Sequence, residues 1–307
     1  MVRVRVPATS ANIGPGFDSL GIAFNLYNEY EFSECEKGIH FYGFKNEFCN
    51  KDNIVYKAMN TCFEKYNFKP KGLNIKLIKD DIPISRGLGS SSSCIVAGLL
   101  GANYVMGNIL SIEELFKIGV DIEGHPDNIA PAFFGGMVVS VMEGKEVIYN
   151  KIDIKEGISF IALIPKFELS TSVARKVLPV EVKFDDAVYN ISRVSLMISS
   201  FTSGKYELLK YCCKDAIHEK YRSPLIKDYN LVYNKCISLG ALGCFLSGSG
   251  PTIMSIIKSD DTKIFSYIKD FLKNENISWD VRKLCVDSNG ATIIEGGTNE
   301  RKFSSCR

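Results

Sequence analysis

The chain has little of several residue types that mark particular classes of protein. Only three histidines occur among 307 residues, and none of the ten cysteines belongs to a C-x-x-C pair. A zinc site built from His and Cys ligands is therefore not expected. Apart from Cys212–Cys213, the cysteines are dispersed, and several, such as Cys62 and Cys244, lie among apolar residues. This distribution indicates free, buried thiols in a reducing compartment.

Strong charge and long apolar runs are also missing. The formal net charge is +2 and the lysines are scattered, which argues against a basic face for nucleic acid or a membrane surface. No apolar run approaches the roughly 20 residues that span a bilayer. The opening "MVRVRVPATS" alternates valine with arginine, which predicts a strand and not a signal peptide. We therefore predict a cytoplasmic protein with no nucleic-acid and no membrane partner.

Strand and helix patterns interleave along the chain, without repeats or low-complexity linkers. The predicted strands cover residues 3–8, 22–34, 72–83, 135–144, 158–167 and 280–286, with two more around a turn at 243–258. The predicted helices cover residues 53–66, 91–107, 111–123, 185–203, 205–215 and 261–274, and a polar, frayed tail is predicted at 298–307. This pattern predicts a two-layer α+β protein. A boundary near 150–160 suggests domains at 1–155 and 156–307.

The stretch "PISRGLGSSSS", from Pro83 to Ser93, lies between a predicted strand and a predicted helix. The first turn of a helix has unpaired N–H groups and the positive end of the helix dipole, so it can bind anions. Gly87 and Gly89 would allow positive φ and a close backbone approach to phosphate. The stretch is neither a Walker A loop nor a dinucleotide fingerprint, whose third glycine is replaced by Ser92. A capped, flexible loop would use the same residues, and local physics leaves both interpretations open.

Three further segments carry polar residues next to tight turns. "NIGPGFD" has Asn12 and Asp18 on either side of a turn, and "SGSGPT" places a glycine turn between two strands. "DIEGHPDN" crowds Asp121, Glu123 and Asp127 together, and such acids repel each other unless a cation lies near. Local turn chemistry or an exposed loop is the alternative for each segment.

In combination, these segments resemble the GHMP kinases, a family that transfers phosphate from ATP to small-molecule hydroxyls or carboxyls. Residues 83–93 match its motif P-x-x-x-G-L-G-S-S-[AS]-[AS], and "SGSGPT" resembles its third motif. "VPATSANIGPGFD" and "EGHPDNIAPAFFGG" are similar to members that act on L-homoserine. The resemblance implies the GHMP kinase fold: an N-terminal α/β domain with a left-handed βαβ crossover, a C-terminal ferredoxin-like domain, and an active site between them.

The resemblance also implies ATP and Mg²⁺ as cofactors. Ser91 and Glu123 are the expected metal ligands, with Asp121 as the competing choice for the carboxylate. Asn53, in "DNIVY", is a candidate contact for the adenine. The remaining expected nucleotide-binding residues are Pro83, Ile84, Ser85, Arg86, Gly87, Leu88, Gly89, Ser90, Ser91, Ser92 and Ser93.

For the substrate, the resemblance implies L-homoserine, phosphorylated on its hydroxyl in threonine biosynthesis. Arg175 and Arg222 suit its carboxylate, because guanidinium groups pair with carboxylates in bidentate geometry. Asp18, and after it Asp127, suits its ammonium group. The residues expected to orient the hydroxyl or the transferred phosphate are Asn12, His125, Asn128 and Thr171.

Several alternatives stay open at this stage. Asp127 is the candidate general base, but the transferred phosphate could accept the proton instead. Another small-molecule kinase of the family, of mevalonate or shikimate type, or a catalytically inactive relative would carry similar motifs. The oligomeric state, including a homodimer, is also open.

Overall fold

The computed structural model describes residues 1–294 and 300–302 and contains two β-sheets. The strands are β1 Val2–Ala11, β2 Leu20–Glu34, β3 Gly38–Tyr42, β4 Gly72–Asp80, β5 Met137–Glu143, β6 Glu146–Ile152, β7 Ile158–Pro165, β8 Gly243–Leu246, β9 Ile253–Lys258, β10 Trp279–Leu284, β11 Thr292–Ile294 and β12 Glu300–Lys302. The larger sheet has the order β12-β11-β1-β2-β4-β3, and β5 pairs with both β2 and β6. The smaller sheet has the order β10-β7-β9-β8.

Helices cover the sheets and connect their strands. They are α1 Ile54–Lys65, α2 Ser90–Val105, α3 Ile112–Glu123, α4 Pro126–Phe134, α5 Thr171–Lys176, α6 Phe184–Ser203, α7 Leu209–Cys212, α8 Glu219–Arg222, α9 Tyr229–Ser238 and α10 Ile264–Asn274. Ser111 and Glu114 form a reciprocal capping box at the start of α3, which satisfies N–H groups that the first helical turn leaves unpaired. No helix within the described residues is long and apolar enough to cross a membrane.

The smaller sheet and its helices follow the ferredoxin-like pattern. The elements of this unit follow the chain order β7, α6, β8, β9, α10 and β10, with short helices between some of them. All the pairings in this sheet are antiparallel. This is the βαββαβ order of a split βαβ unit. In the larger sheet, β3 and β4 are parallel and connected by α1. The left hand of that crossover stays a prediction.

The domain division at residue 155 also stays a prediction. It lies just before β7, where the smaller sheet begins. However, β11 pairs with β1 although it lies near the C-terminal end of the chain. Residues 300–302 of the predicted frayed tail form β12, a strand on β11; the rest of that tail lies outside the described residues.

The helix predicted at 111–123 is present as α3, but α4, which follows it directly, was not predicted from the sequence. α3 continues to Glu123, Gly124 turns the chain with φ +87°, and α4 begins at Pro126. Proline is favoured at the first helical position because its φ already suits a helix and its missing N–H is not needed there. Pro131, inside α4, cannot donate to the Asp127 carbonyl. That carbonyl packs against Gly21, where a Cβ would lie 1.6 Å from its oxygen.

Other differences concern short elements. The helix predicted at 205–215 is a 3₁₀ turn, Tyr206–Leu208, followed by α7. β3, β6, α5, α8 and α9 were not predicted, because short segments show too few residues to establish a period. The nine cysteines within the described residues are free, and five of them are buried. The sequence-based interpretation of the thiols agrees with this.

α2 is the central helix of the N-terminal core. It packs on α1 so closely that a Cβ at Gly98 would lie 2.4 Å from the Val55 carbonyl oxygen. A Cβ at Gly101 would lie 2.6 Å from the ring of Phe32. Glycine inside a helix costs about 1 kcal/mol relative to alanine. Here it allows the helix to approach its neighbours.

We expect Gly98→Ala to destabilise the protein despite the better helix propensity of alanine. Overpacking costs about 1–3 kcal/mol, which exceeds the gain of about 1 kcal/mol from propensity. Urea unfolding followed by circular dichroism measures the change in the free energy of unfolding. A higher unfolding midpoint than that of the wild type would show that α1 can move away at no cost.

Candidate active site

A cavity lies where the start of α2, the α3–α4 junction, the β1–β2 turn and the β8–β9 loop meet. It collects residues from all four motif segments and from α5 and α8. Its lining is Ala11, Asn12, Asp18, Ile54, Ile84, Ser85, Arg86, Gly87, Gly89, Ser90, Ser91, Ser92, Glu123, His125, Asp127, Asn128, Leu169, Thr171, Arg175, Arg222, Gly248 and Ser249. Of the residues predicted from the sequence, Asn53, Pro83, Leu88 and Ser93 are not in this lining.

The start of α2 is docked against two other motif segments. Gly89 precedes the helix with φ +69°, and a Cβ there would lie 1.9 Å from Thr9 Oγ1 on β1. A Cβ at Gly87 would lie 2.3 Å from the carbonyl oxygen of Ser247. A Cβ at either position would therefore clash with the protein itself, so contacts within the protein require both glycines. Their close approach to phosphate stays a prediction.

Glu123 joins the end of α3 to the first turn of α2. Its carboxylate accepts hydrogen bonds from Ser91 Oγ and Ser92 Oγ, both at 3.1 Å. Asp121, the competing metal ligand, is exposed and does not line the cavity. No cluster of three or more His, Cys, Asp or Glu side chains suited to a metal occurs within residues 1–294. One carboxylate with hydroxyl oxygens fits Mg²⁺, which usually binds one or two carboxylates together with phosphates.

His125 and Asp127 form a pair on the cavity wall, at the start of α4. His125 Nδ1 lies 2.6 Å from Asp127 Oδ1. Burial lowers the pKa of His125, but the hydrogen bond to Asp127 and the charges of Asp127 and Glu123 outweigh it, and the pKa is raised. Asn128 Oδ1, next along the helix, accepts a hydrogen bond from Thr9 Oγ1 at 2.8 Å. The N-terminal end of α4 is thereby tied to β1.

Asp18 and Arg175 form an ion pair in the lining of the cavity. Arg175 donates to both carboxylate oxygens of Asp18, at 2.8 and 3.1 Å. Burial lowers the pKa of Arg175, but its bonds to Asp18 and nearby acids raise it overall. Both side chains are more than a third exposed, so the pair contributes little to stability. The pair instead places one negative and one positive charge next to each other in the cavity lining.

Arg222 is a buried cation behind Arg175. Its side chain donates to the carbonyl oxygens of Ala174 and Gly248, each at 3.1 Å. Within the described residues, no salt bridge connects it to a carboxylate. Burial, followed by the charge of Arg175, lowers the pKa of Arg222 to about 10. A buried cation without an anionic partner favours an anionic ligand.

Two predicted site residues have structural contacts that the sequence did not reveal. The buried Asn12 donates to the Gly248 carbonyl oxygen and accepts from the Asp18 backbone N–H, both at 3.0 Å. Asn53 caps α1 by accepting from the N–H groups of Val55 and Tyr56. Thr171, by contrast, has its hydroxyl in the cavity, 3.3 Å from Ser249 Oγ.

A second, more apolar pocket adjoins the cavity at the start of α2. The two share Ile54, Ile84 and Ser90. The second pocket is further lined by Asn28, Tyr30, Gly43, Phe44, Lys45, Phe48, Asn53, Leu77, Asp80 and Cys94. Asn53 lines this pocket, and its side-chain amide oxygen is occupied by the cap of α1. Its contact with the adenine stays a prediction.

Some lining residues were not predicted as site residues. Ser249 lies within "SGSGPT", so the motif itself was the available signal. Ala11 directly precedes Asn12 and could have been inferred from it. Ile54 and Leu169 are apolar, and nothing in their local sequence distinguishes them from core residues.

Comparisons with known proteins agree with this geometry. The family models "GHMP kinases N terminal domain" and "GHMP kinases C terminal" match residues 53–136 and 197–274. A homoserine kinase of Clostridium beijerinckii is 58% identical over 96% of this chain and 99% of its own length. The chain belongs to the homoserine kinases of the GHMP kinase family. A homoserine kinase of Clostridium botulinum strain Eklund 17B is 54% identical over the same shares.

Solved structures support the fold of this kinase family member. The crystal structure of a homoserine kinase from Cytophaga hutchinsonii has a TM-score of 0.85 and 28% identity, covering 95% of this chain and 97% of that one. A mevalonate kinase from L. major has a TM-score of 0.70 and 16% identity, with coverages of 93% and 96%. The likeness to the mevalonate kinase shows only that the two proteins share a fold. The predicted α+β GHMP kinase fold is confirmed.

We expect Glu123→Gln to reduce kinase activity by at least about 100-fold, since charged groups around transferred phosphate typically contribute several kcal/mol. Asp121→Asn, the matched control at the exposed acid, should change activity less than about twofold because surface substitutions have small effects. Initial rates of ADP release at several Mg²⁺ concentrations measure both. Equal losses in the two variants would contradict the assignment to Glu123.

Proposed function

We propose that this chain is an ATP-dependent kinase that phosphorylates the hydroxyl of L-homoserine. The observation that carries the proposal is one cavity that joins an anion-binding helix start to a paired Asp18 and Arg175. The helix start suits a polyphosphate, and the Asp18–Arg175 pair suits a zwitterion. The relatives named homoserine kinase support the same assignment at high coverage.

The triphosphate of ATP would lie at the first turn of α2. N–H groups at a helix start and the helix dipole favour negative charge, and Ser90, Ser91 and Ser92 line the cavity there. The second pocket opens beside Ser90 and has aromatic walls in Tyr30 and Phe48, which suit a purine base. In this arrangement the phosphates meet the start of α2 and the base rests against the neighbouring sheet.

Mg²⁺ would be held by Glu123 and Ser91. The Ser91 hydroxyl already donates to Glu123 Oε2, so its oxygen lone pairs are free to face a cation. When bound, the ion neutralises phosphate charge as the terminal phosphoryl group leaves. Ser92, which donates to the other carboxylate oxygen at 3.1 Å, keeps the carboxylate in one orientation.

A zwitterionic amino acid fits the opposite end of the cavity by exchanging ion pairs. Asp18 and Arg175 form an ion pair with each other. Bound homoserine would place its carboxylate between Arg175 and Arg222 and its ammonium group at Asp18. Each charge then keeps an opposite partner. A ligand with only one of the two groups would leave one protein charge unpaired, which costs affinity.

The hydroxyl of the substrate would lie between Thr171, Asn128 and the His125–Asp127 pair. Asp127 Oδ1 is bound to His125, and this bond orients the carboxylate towards the cavity. Asp127 is the candidate acceptor of the hydroxyl proton, and the transferred phosphate is the alternative. General bases contribute roughly 10²–10⁴-fold to rates, so the two routes differ measurably.

The alternatives weighed from the sequence are less well supported. Mevalonate kinases share the fold at 16% identity, whereas the homoserine kinases share up to 58% identity. The residues suited to a carboxylate and an ammonium group also favour an amino acid. A cytoplasmic location, the absence of nucleic-acid and membrane partners and a homodimeric state stay predictions.

We expect L-homoserine to be phosphorylated with a kcat/KM at least about 10-fold above those of 3-amino-1-propanol and 4-hydroxybutyrate, because each analogue leaves one charge unpaired. A coupled ADP-release assay measures all three, with mevalonate and shikimate as further acceptors. Turnover of mevalonate without turnover of homoserine would overturn the proposal, and no turnover of any acceptor would favour an inactive relative.

The Asp127→Asn variant separates the two proton routes. If Asp127 accepts the proton, the single-turnover rate should fall by roughly 10²–10⁴-fold, because an amide cannot take it up. Rapid-quench measurement at saturating homoserine isolates the chemical step. A loss of only a few-fold, with unchanged homoserine affinity, would assign the proton to the phosphate.

A further inference from the structure

His218 lies behind the cavity and takes no part in its lining. Its side chain is fully buried, directly before the first residue of α8. The same short helix carries Arg222, which reaches the cavity. Nε2 of His218 lies 3.8 Å from Asp215 Oδ1. The other three contacts are to the Gly14 carbonyl oxygen, the ring of Phe17 and the guanidinium of Arg222. Each of these belongs to, or directly supports, the end of the cavity assigned to the amino acid.

The two ring nitrogens of His218 have partners that define its tautomer. Nε2 lies 2.8 Å from the Gly14 carbonyl oxygen, which can only accept, so Nε2 carries a proton. Nδ1 lies 3.4 Å from Nη1 of Arg222, which can only donate, so Nδ1 must offer a lone pair. Only the neutral Nε2–H imidazole satisfies both contacts.

The surroundings hold this ring in place. Asp215 Oδ2 accepts from the backbone N–H groups of Ile217, His218 and Glu219, at 2.7–3.0 Å. The imidazole stacks on Phe17 with ring centroids 5.2 Å apart. The guanidinium of Arg222 lies over the same Phe17 ring, 5.3 Å from its centroid. Besides its bonds to the Ala174 and Gly248 carbonyl oxygens, Arg222 is thus held by an imidazole that is itself fixed at both nitrogens.

We propose that His218 is a positioning residue for substrate recognition: its neutral imidazole accepts a hydrogen bond from Arg222 and holds that guanidinium where it meets the substrate carboxylate. The inference rests on the proposed function, since it concerns the same amino-acid site. His218 touches neither the nucleotide region nor the reacting hydroxyl. Its influence therefore falls on the binding of the carboxylate and not on phosphoryl transfer.

Protonation of His218 would reverse this contact. An Nδ1–H would point at a guanidinium that cannot accept a hydrogen bond, and two cations would face each other. The charged groups that act on the ring are Arg222 on α8, Asp215 before it, and Asp18. The neighbouring Glu219 is titratable, and burial raises its pKa to about 8. Burial, together with Arg222, lowers the pKa of His218 against the opposing effect of Asp215, so the neutral form persists through the physiological range.

His218→Gln and His218→Asn separate the two ring nitrogens. A glutamine amide can reach the Nε2 position and keep the bond to Gly14, but it loses the acceptor for Arg222. An asparagine oxygen can take the Nδ1 position and keep that acceptor. We expect His218→Gln to raise KM for homoserine roughly 10-fold or more, the scale of a hydrogen bond to a charged group. We expect kcat and KM for ATP to change less than about threefold, and His218→Asn to recover part of the loss.

The analogue 3-amino-1-propanol, which has no carboxylate, provides the internal control. The loss in kcat/KM caused by His218→Gln should be absent with this substrate, and His40→Gln at an exposed site should affect neither substrate. In a double-mutant cycle, His218→Gln should have little further effect once Arg222→Met has removed its partner, because coupled residues are not additive. Equal losses with both substrates, or additive losses in the cycle, would overturn the proposal.

The wild-type enzyme offers a measurement that does not depend on any variant folding. The ratio of kcat/KM for homoserine to kcat/KM for 3-amino-1-propanol cancels groups, such as His125, that affect both substrates. Because burial lowers the pKa of His218, this ratio should be constant between pH 7 and pH 8, and a decrease of the ratio within this range would overturn the neutral imidazole on which the proposal rests. If homoserine is not phosphorylated at all, the proposed function fails; if it is phosphorylated and His218→Gln leaves its KM unchanged, only the role of His218 fails.

Discussion

The docking of α2 onto β1 is the constraint on which the rest of the site depends. At Gly89 the helix start comes so near Thr9 that no Cβ could fit, and Gly87 meets the β8–β9 loop in the same way. These contacts join three motif segments that are distant in the chain. Because the helix start is fixed, its unpaired N–H groups have one direction. Glu123 reaches that start from α3 and completes an oxygen-rich corner for a cation.

Three charged side chains surround the end of the cavity that is assigned to the amino acid. Phe17 lies beneath the guanidinium groups of both Arg175 and Arg222, while a single carboxylate, Asp18, pairs with Arg175. This end therefore has two guanidinium groups for one carboxylate. The carboxylate of a zwitterionic ligand would give both guanidinium groups an anionic partner, and its ammonium group would pair with Asp18, without a change in the net charge of the site. The buried His218 belongs to this arrangement because it contributes an acceptor without adding a charge.

Much of the fold and most of the site could be predicted from the sequence. The long helices and strands have clear periods, and the motif stretches carried Asp18, Ser91 and Arg175 into one predicted site. Short elements such as α8 and α5 lack enough residues to show a period. α4 was missed although α3 was predicted; Pro126 starts this helix and Pro131 is accommodated within it.

The sequence by itself determined the chemistry that the protein carries: glycines and serines before a helix, acids after another, and arginines on two later segments. These residue types and their order identify the family. Only the tertiary structure decided which of them meet. Glu123, and not Asp121, faces Ser91 because two positions along a helix differ by about 200° of rotation. The role of His218 could not be predicted from the sequence, because the tautomer of an imidazole depends on hydrogen-bond partners that no local sequence pattern specifies.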